Sequence, residues 1–128
     1  MPIYVVQLGS PRLPGEGLRL GTVRRPPRGV PKTAFASRNY YDVWLPALAP
    51  TEELRKLGLV AKSEKDWRSF VRRYRAEMKQ TEKRCLLDLL AAMSREMSFS
   101  VGCYCFDAQR CHRSVLRELL AECGALLA

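Results

Sequence analysis

Residues 98–120 read SFSVGCYCFDAQRCHRSVLRELL, and this stretch decides the fold. Phe99, Val101 and Cys103 alternate with Ser100, Gly102 and Tyr104 in a run without charge, the pattern of a central strand covered on both faces. After Cys105 the chain turns polar through Asp107, Gln109 and Arg110. It then shows apolar residues at Val115, Leu116, Leu119, Leu120 and Cys123, the spacing of an amphipathic helix. At about 100° per residue, His112 falls near the middle of that apolar face, Arg113 toward its edge and Cys111 further round. The stretch holds three of the five cysteines and the single histidine. A strand, a short loop and a helix opening with Cys111-His112-Arg113 gather thiols, an imidazole and guanidiniums around helix N–H groups, where anions bind.

Working outward, Ile3 to Val6 is short, apolar and β-branched, the pattern of a buried first strand. Residues 9–39 are dense in Gly, Pro and Arg, and Leu18 to Val23 is the one strand expected among them. The prolines of Arg24-Arg25-Pro26-Pro27-Arg28 and the residues up to Lys32 hold four cations in an extended surface segment. Tyr40 to Leu45 reads as another strand, closed by Pro46. Thr51 ahead of Glu52 and Glu53 marks the N-cap of a short helix ending near Gly58. Ser63-x-x-Asp66 resembles a capping box, and Trp67, Phe70, Val71, Tyr74 and Met78 give one apolar face to a helix over 63–79. Thr81 is expected to cap a third helix, over 81–96. The result is a single α/β domain over 1–128, a three-layer arrangement with a mainly parallel sheet of about four strands covered by helices, the last strand interior. Ligands bind such sheets beyond the carboxyl ends of the strands, the edge the loop from Cys105 to Arg113 would occupy.

Twenty-two Lys and Arg face thirteen Asp and Glu, a formal charge of +9, and residues 1–41 hold seven basic groups against Glu16 alone. Such an excess points to an anionic partner: phosphate, nucleotide or nucleic acid. The N-terminus lacks the pattern of a secretion signal, and no segment reaches the roughly 18 apolar residues of a membrane span. Five cysteines with no paired framework fit reduced thiols in a cytoplasmic protein, with no membrane partner.

Three chemistries compete for the cluster, and a purely structural role stands beside them. In the first, Cys105 and Arg110 form C-x4-R, the loop length in which rhodanese-type enzymes hold a nucleophilic thiolate. Cys105 is then the nucleophile, His112 the acid/base and Arg110 or Arg113 the anion clamp. The loop has no glycine to aim its amides inward, and Asp107 would repel an anionic substrate. In the second, Cys103, Cys105, Cys111 and His112 supply four metal ligands. The spacing C-x-C-x5-C-H lacks the usual knuckle, and adjacent helical residues point about 100° apart, so neither a metal nor a cofactor is expected. In the third, Arg24, Arg25, Arg28, Arg110 and Arg113 grip an anion, with Tyr40, Tyr41, Trp44 and Tyr104 as stacking surfaces. In the structural alternative, Cys103 packs the core, His112 is a satisfied buried imidazole and Arg113 pairs with Asp42 or Glu77. The anion-binding protein is the favoured reading.

The chain also resembles the domain-of-unknown-function 488 family, its YeaO-like branch in particular. Pro27-Arg28-Gly29 with Lys32 looks like one block. Asp42-Val43-Trp44-Leu45, Ala49-Pro50-Thr51, Glu53-Leu54-Arg55, Trp67, Phe70, Tyr74 and Glu77 look like a second. Cys105 with Cys111-His112-Arg113-Ser114 looks like the cysteine and Cys-His-Arg block of the wider family. The resemblance implies an α/β layer fold and no established activity. Phe106 stands where many members carry an acid.

Overall fold

The computed structural model describes residues 2–107 and 110–128. Four strands, β1 (Ile3–Gln7), β2 (Leu18–Gly21), β3 (Val43–Trp44) and β4 (Phe99–Cys103), form one all-parallel sheet in the order β1-β4-β2-β3. β4 is therefore interior, with Val101 between Val5 of β1 and Leu20 of β2. Every residue of β4 is buried, which explains its uncharged sequence. Gly102 is required there: a Cβ would stand 2.6 Å from the Val6 carbonyl oxygen and 2.8 Å from Leu8 Cδ2.

Four helices supply one layer: α1 (Glu52–Val60), α2 (Glu64–Met78), α3 (Thr81–Met93) and α4 (His112–Glu122). Their apolar stripes, including Leu54, Phe70, Tyr74, Leu87, Leu90, Leu116 and Leu120, close over Ile3, Leu20, Phe99 and Val101. The caps of α1 and α2 form where the sequence places them. Thr51 Oγ1 accepts from the Leu54 N–H at 3.4 Å, and Ser63 Oγ from the Asp66 N–H at 3.1 Å. Thr81 does not cap α3: it is the first helical residue, after a Gln80 N-cap that makes no side-chain bond.

The opposite face of the sheet carries Arg19 and Ser100 and is covered by loops. Glu16, in the connection before β2, reaches both. The strand expected over residues 40–45 shortens to Val43–Trp44 at the exposed edge. Ladder bonds flank it, the Asp42 N–H donating to the Arg19 carbonyl and the Leu45 N–H to that of Gly21. Tyr41 turns inward instead and lies across Gly21, where any Cβ would collide with its ring. The C-terminal tail closes the other edge, with Ile3 donating to the Leu126 carbonyl and Ala128 to that of Ile3. Among the described residues, no helix is long and apolar enough to cross a membrane.

Candidate functional site at the carboxyl edge of the sheet

β2 and β4 run side by side and leave the sheet at the same edge. The residues at and beyond their ends, Val23 to Arg25 and Cys103 to Cys105, face α1 and the start of α4. Between them lies a cavity of about 270 Å³ lined by Val23, Arg24, Arg25, Pro50, Arg55, Leu59, Cys103, Tyr104, Cys105 and His112. This is the position at which open parallel sheets bind ligands. A shallower groove adjoins it, sharing Arg25, Arg55 and Tyr104 and adding Pro26, Pro27, Arg28 and Tyr40.

Two of the expected arginines line this cavity, and a third cation, Arg55 of α1, joins them without having been expected there. Arg24 donates from Nε to the Pro50 carbonyl at 3.1 Å and from Nη2 to that of Ala49 at 3.1 Å, tying β2 to the approach of α1. Arg25 and Arg55 both bind Glu52, each at 2.7 Å. Hydrogen bonding from Arg55, with Arg25 beside it, holds the Glu52 carboxyl down to about 2. Arg55 belongs to the Glu53-Leu54-Arg55 block, the one sequence signal that pointed to it.

Arg28 reaches only the adjoining groove. Arg110 faces away: its guanidinium pairs with Glu64 and lies 5.8 Å from the centroid of the Trp67 ring. Arg113 is buried, 5 % exposed, and pairs with neither Asp42 nor Glu77. Asp42 is taken by Arg12 at 2.8 Å and by the Arg19 N–H at 2.8 Å, and Glu77 by the N–H and hydroxyl of Thr51. Arg113 Nη1 has no hydrogen-bond partner among the described residues.

His112 is 8 % exposed at the first turn of α4, against the ring of Tyr74. Its Nε2 stands 2.7 Å from the carbonyl oxygen of Thr22. A carbonyl only accepts, so Nε2 carries the hydrogen and Nδ1 keeps its lone pair. Burial, with Arg113 adding to it against the opposing Thr22 bond, pushes the imidazole down to about 4, so it is neutral at pH 7. Nδ1 faces Cys111 Sγ at 3.8 Å.

Cys111 is the N-cap of α4 with extended backbone, φ −135° and ψ 149°. Cys111 and His112 therefore do not diverge by the roughly 100° of two helical neighbours, since only His112 is helical. Cys111 Sγ meets Cys103 Sγ at the end of β4. Their Cα atoms stand 7.9 Å apart, wider than the roughly 4.4–6.8 Å a disulfide spans, so the backbone presents two neighbouring thiols rather than a bridged pair. Cys105 opens on the same cavity. Desolvation raises its thiol above the ordinary value, with Asp107 in the same sense, and outweighs the opposing pull of Arg113. Its resting form at neutral pH is the thiol, which weighs against a poised nucleophile. The loop residues Ala108 and Gln109 lie outside the described residues.

Of the expected aromatic surfaces, Tyr104 and Tyr40 flank the groove edge to face at 6.2 Å. Tyr41 is core, and Trp44, which does not line the cavity, donates Nε1–H to the Val23 carbonyl at 2.8 Å. Ser114 also turns inward to its own turn, donating to the Cys111 carbonyl at 2.8 Å.

An all-parallel sheet with one helical layer and a cavity beyond the ends of its two inner strands defines an open-sheet α/β protein. The chain belongs to the DUF488 family: the family model DUF488-N3a, described as the active DUF488-N3 subclade, matches residues 3–124, which include all four strands and the Cys-His-Arg cluster. No curated protein and no solved structure matches the chain.

Proposed function

We propose that the cavity beyond β2 and β4 binds a small phosphate-bearing ligand. The observation that carries this reading is that Arg24, Arg25 and Arg55 line one cavity with no carboxylate among its described lining residues. Glu52 neutralises one of the two guanidiniums it holds, and the partners of Arg24 are uncharged carbonyls. A positive surplus thus remains, on side chains whose planar forks match phosphate oxygens. Apolar Val23, Pro50 and Leu59 limit the water that competes for those donors. Tyr40 and Tyr104 in the adjoining groove suit a base or sugar attached to the phosphate, which favours a nucleotide over phosphate alone. The family's description as an active subclade agrees with a working site.

Thermal unfolding in the presence of inorganic phosphate and of a nucleoside diphosphate tests the reading. Ligand at about 100 times its Kd stabilises by about 2.7 kcal/mol, a clear rise in Tm. The pair Arg25→Ala with Arg55→Ala should remove that rise while leaving the unliganded Tm close to wild type, since both side chains are partly exposed. No rise with either ligand sinks the proposal. A rise seen only with oligonucleotides, and falling steeply with salt, would replace it with nucleic-acid binding.

A further inference from the structure

We propose that Cys103, Cys111 and His112 form a binding site for a zinc-class metal ion, held by Cys103 Sγ, Cys111 Sγ and His112 Nδ1, with the fourth coordination position open to the arginine-lined cavity. The three ligand atoms lie within 4.8 Å of one another, and all three residues are buried. Tetrahedral zinc, with Zn–S near 2.3 Å and Zn–N near 2.0–2.1 Å, sets its ligand atoms roughly 3.4–3.8 Å apart. Cys111 Sγ and His112 Nδ1 already stand 3.8 Å apart. Cys103 Sγ, in contact with Cys111 Sγ, has to move away from it to complete the triangle.

The outer partner of the histidine is the second observation. Metal-bound imidazoles donate their other ring N–H to a carbonyl or carboxylate, which fixes the tautomer and aims the free lone pair. The Thr22 carbonyl does this here, from a residue 90 positions away in the chain, so the ring is oriented by the sheet and not by its own helix. Two thiols and an imidazole form a borderline-soft donor set, suited to zinc over calcium or magnesium. Cys103 and His112 also line the cavity, whereas Cys111 lies behind them. Three protein ligands with one face toward a cavity is the arrangement of zinc sites that keep a position for water or ligand. Binding releases the two thiol protons to solvent, and two thiolates balance the charge of the ion. The arrangement stands whether or not the arginines bind phosphate.

The test uses the full chain, prepared under reducing conditions in phosphate-free buffer and loaded with cobalt(II) or zinc(II) alone. The expected result is one ion per chain, with the visible bands of tetrahedral cobalt and thiolate-to-cobalt charge transfer. Metal retention should fall by about tenfold or more in Cys103→Ser and Cys111→Ser, and remain in Cys85→Ser and Cys123→Ser. Should the serine variants fail to fold by circular dichroism, alkylation of the wild type decides. Zinc must slow iodoacetamide labelling of Cys103 and Cys111, mapped by mass spectrometry, and leave Cys85 unchanged. Octahedral cobalt, labelling indifferent to zinc, or a Cys103–Cys111 disulfide in the reduced preparation each overturns the proposal. Because phosphate is absent throughout, failure here leaves the anion pocket untouched, and failure of phosphate binding leaves the metal site untouched.

Discussion

Arg19 and Arg113 are both buried arginines, one in β2 and one in α4, and they live in opposite circumstances. Arg19, 0 % exposed, spends all its donors. Nε and Nη2 grip Glu16 at 2.8 and 2.9 Å, Nη1 bonds the Ser10 and Asn39 carbonyls at 2.8 and 2.7 Å, and Nη2 adds the Pro11 carbonyl at 3.4 Å. Glu16 in turn accepts from Ser100 Oγ at 2.6 Å and from the Leu13 N–H at 3.1 Å. Burial alone would raise the Glu16 carboxyl, but these bonds hold it down to about 2. Arg113 is desolvated, with Nη1 unpartnered among the described residues and with Cys105 and Asp107 near enough to favour its charge. A buried charge whose bonds are complete belongs to the architecture. One left with an unmet donor is the costlier kind, because its desolvation is not fully compensated by bonds within the fold.

The same substitution at the two arginines should separate their roles. Arg19→Met leaves the Glu16 carboxylate and three carbonyls without their donor, and should cost about 3–5 kcal/mol in urea unfolding. A loss below about 1 kcal/mol would show that the network is not holding the loops to the sheet. The same network sets the acid limit. Because the folded Glu16 pKa is depressed from 4.5 to about 2, its contribution is complete above pH 4.5 and is lost as pH falls from there toward 2. Glu16→Gln should abolish this segment of the stability profile, measured as Tm against pH, and an unchanged profile would assign acid sensitivity to other carboxylates.

Arg113→Met is expected to stay within about 1 kcal/mol of wild type, since it replaces a desolvated cation with one donor unmet among the described residues by an apolar stem of similar length. A loss as large as that of Arg19→Met would make Arg113 architectural as well and erase the contrast. The smallest effect belongs to the outward-facing cation. Arg110→Ala removes an exposed pair with Glu64 and a ring contact with Trp67, and should cost under about 1 kcal/mol with no change in the response to phosphate. A changed phosphate response would return Arg110 to the site from which its pairing with Glu64 separates it.

Much of the fold was legible in residue order because local chemistry and tertiary fold agree along most of the chain. The uncharged alternation of Phe99 to Cys103 announces a strand buried on both faces, and the apolar spacing of Trp67, Phe70, Tyr74 and Met78 announces a helix with one core face. Thr51 and Ser63 fix helix starts because the cap bond is made within three residues. Thr81 misleads because the chain enters α3 from the preceding turn, so its hydroxyl is already inside the helix. Likewise, residues 40–45 alternate like a strand, yet Tyr41 is drawn onto Gly21 and only Val43–Trp44 pair at the edge.

The sequence by itself determined an α/β domain with an interior last strand, a basic excess, and a carboxyl-edge cluster containing His112 and Arg113. The tertiary structure alone decided what each member of that cluster does. Arg110 and Arg113 are three residues apart, yet one turns to Glu64 on α2 and the other is buried with a donor that no described residue accepts. Cys111 takes extended backbone where helix geometry would have aimed it elsewhere, and so meets Cys103. Arg55 joins the cavity from a helix that precedes β4 by some forty residues, and Thr22 orients His112 across 90. The reason is physical: periodicity reports which way a side chain points relative to its own element. Whether a guanidinium, thiol or imidazole is satisfied depends on groups brought up from distant parts of the chain, and only packing fixes those.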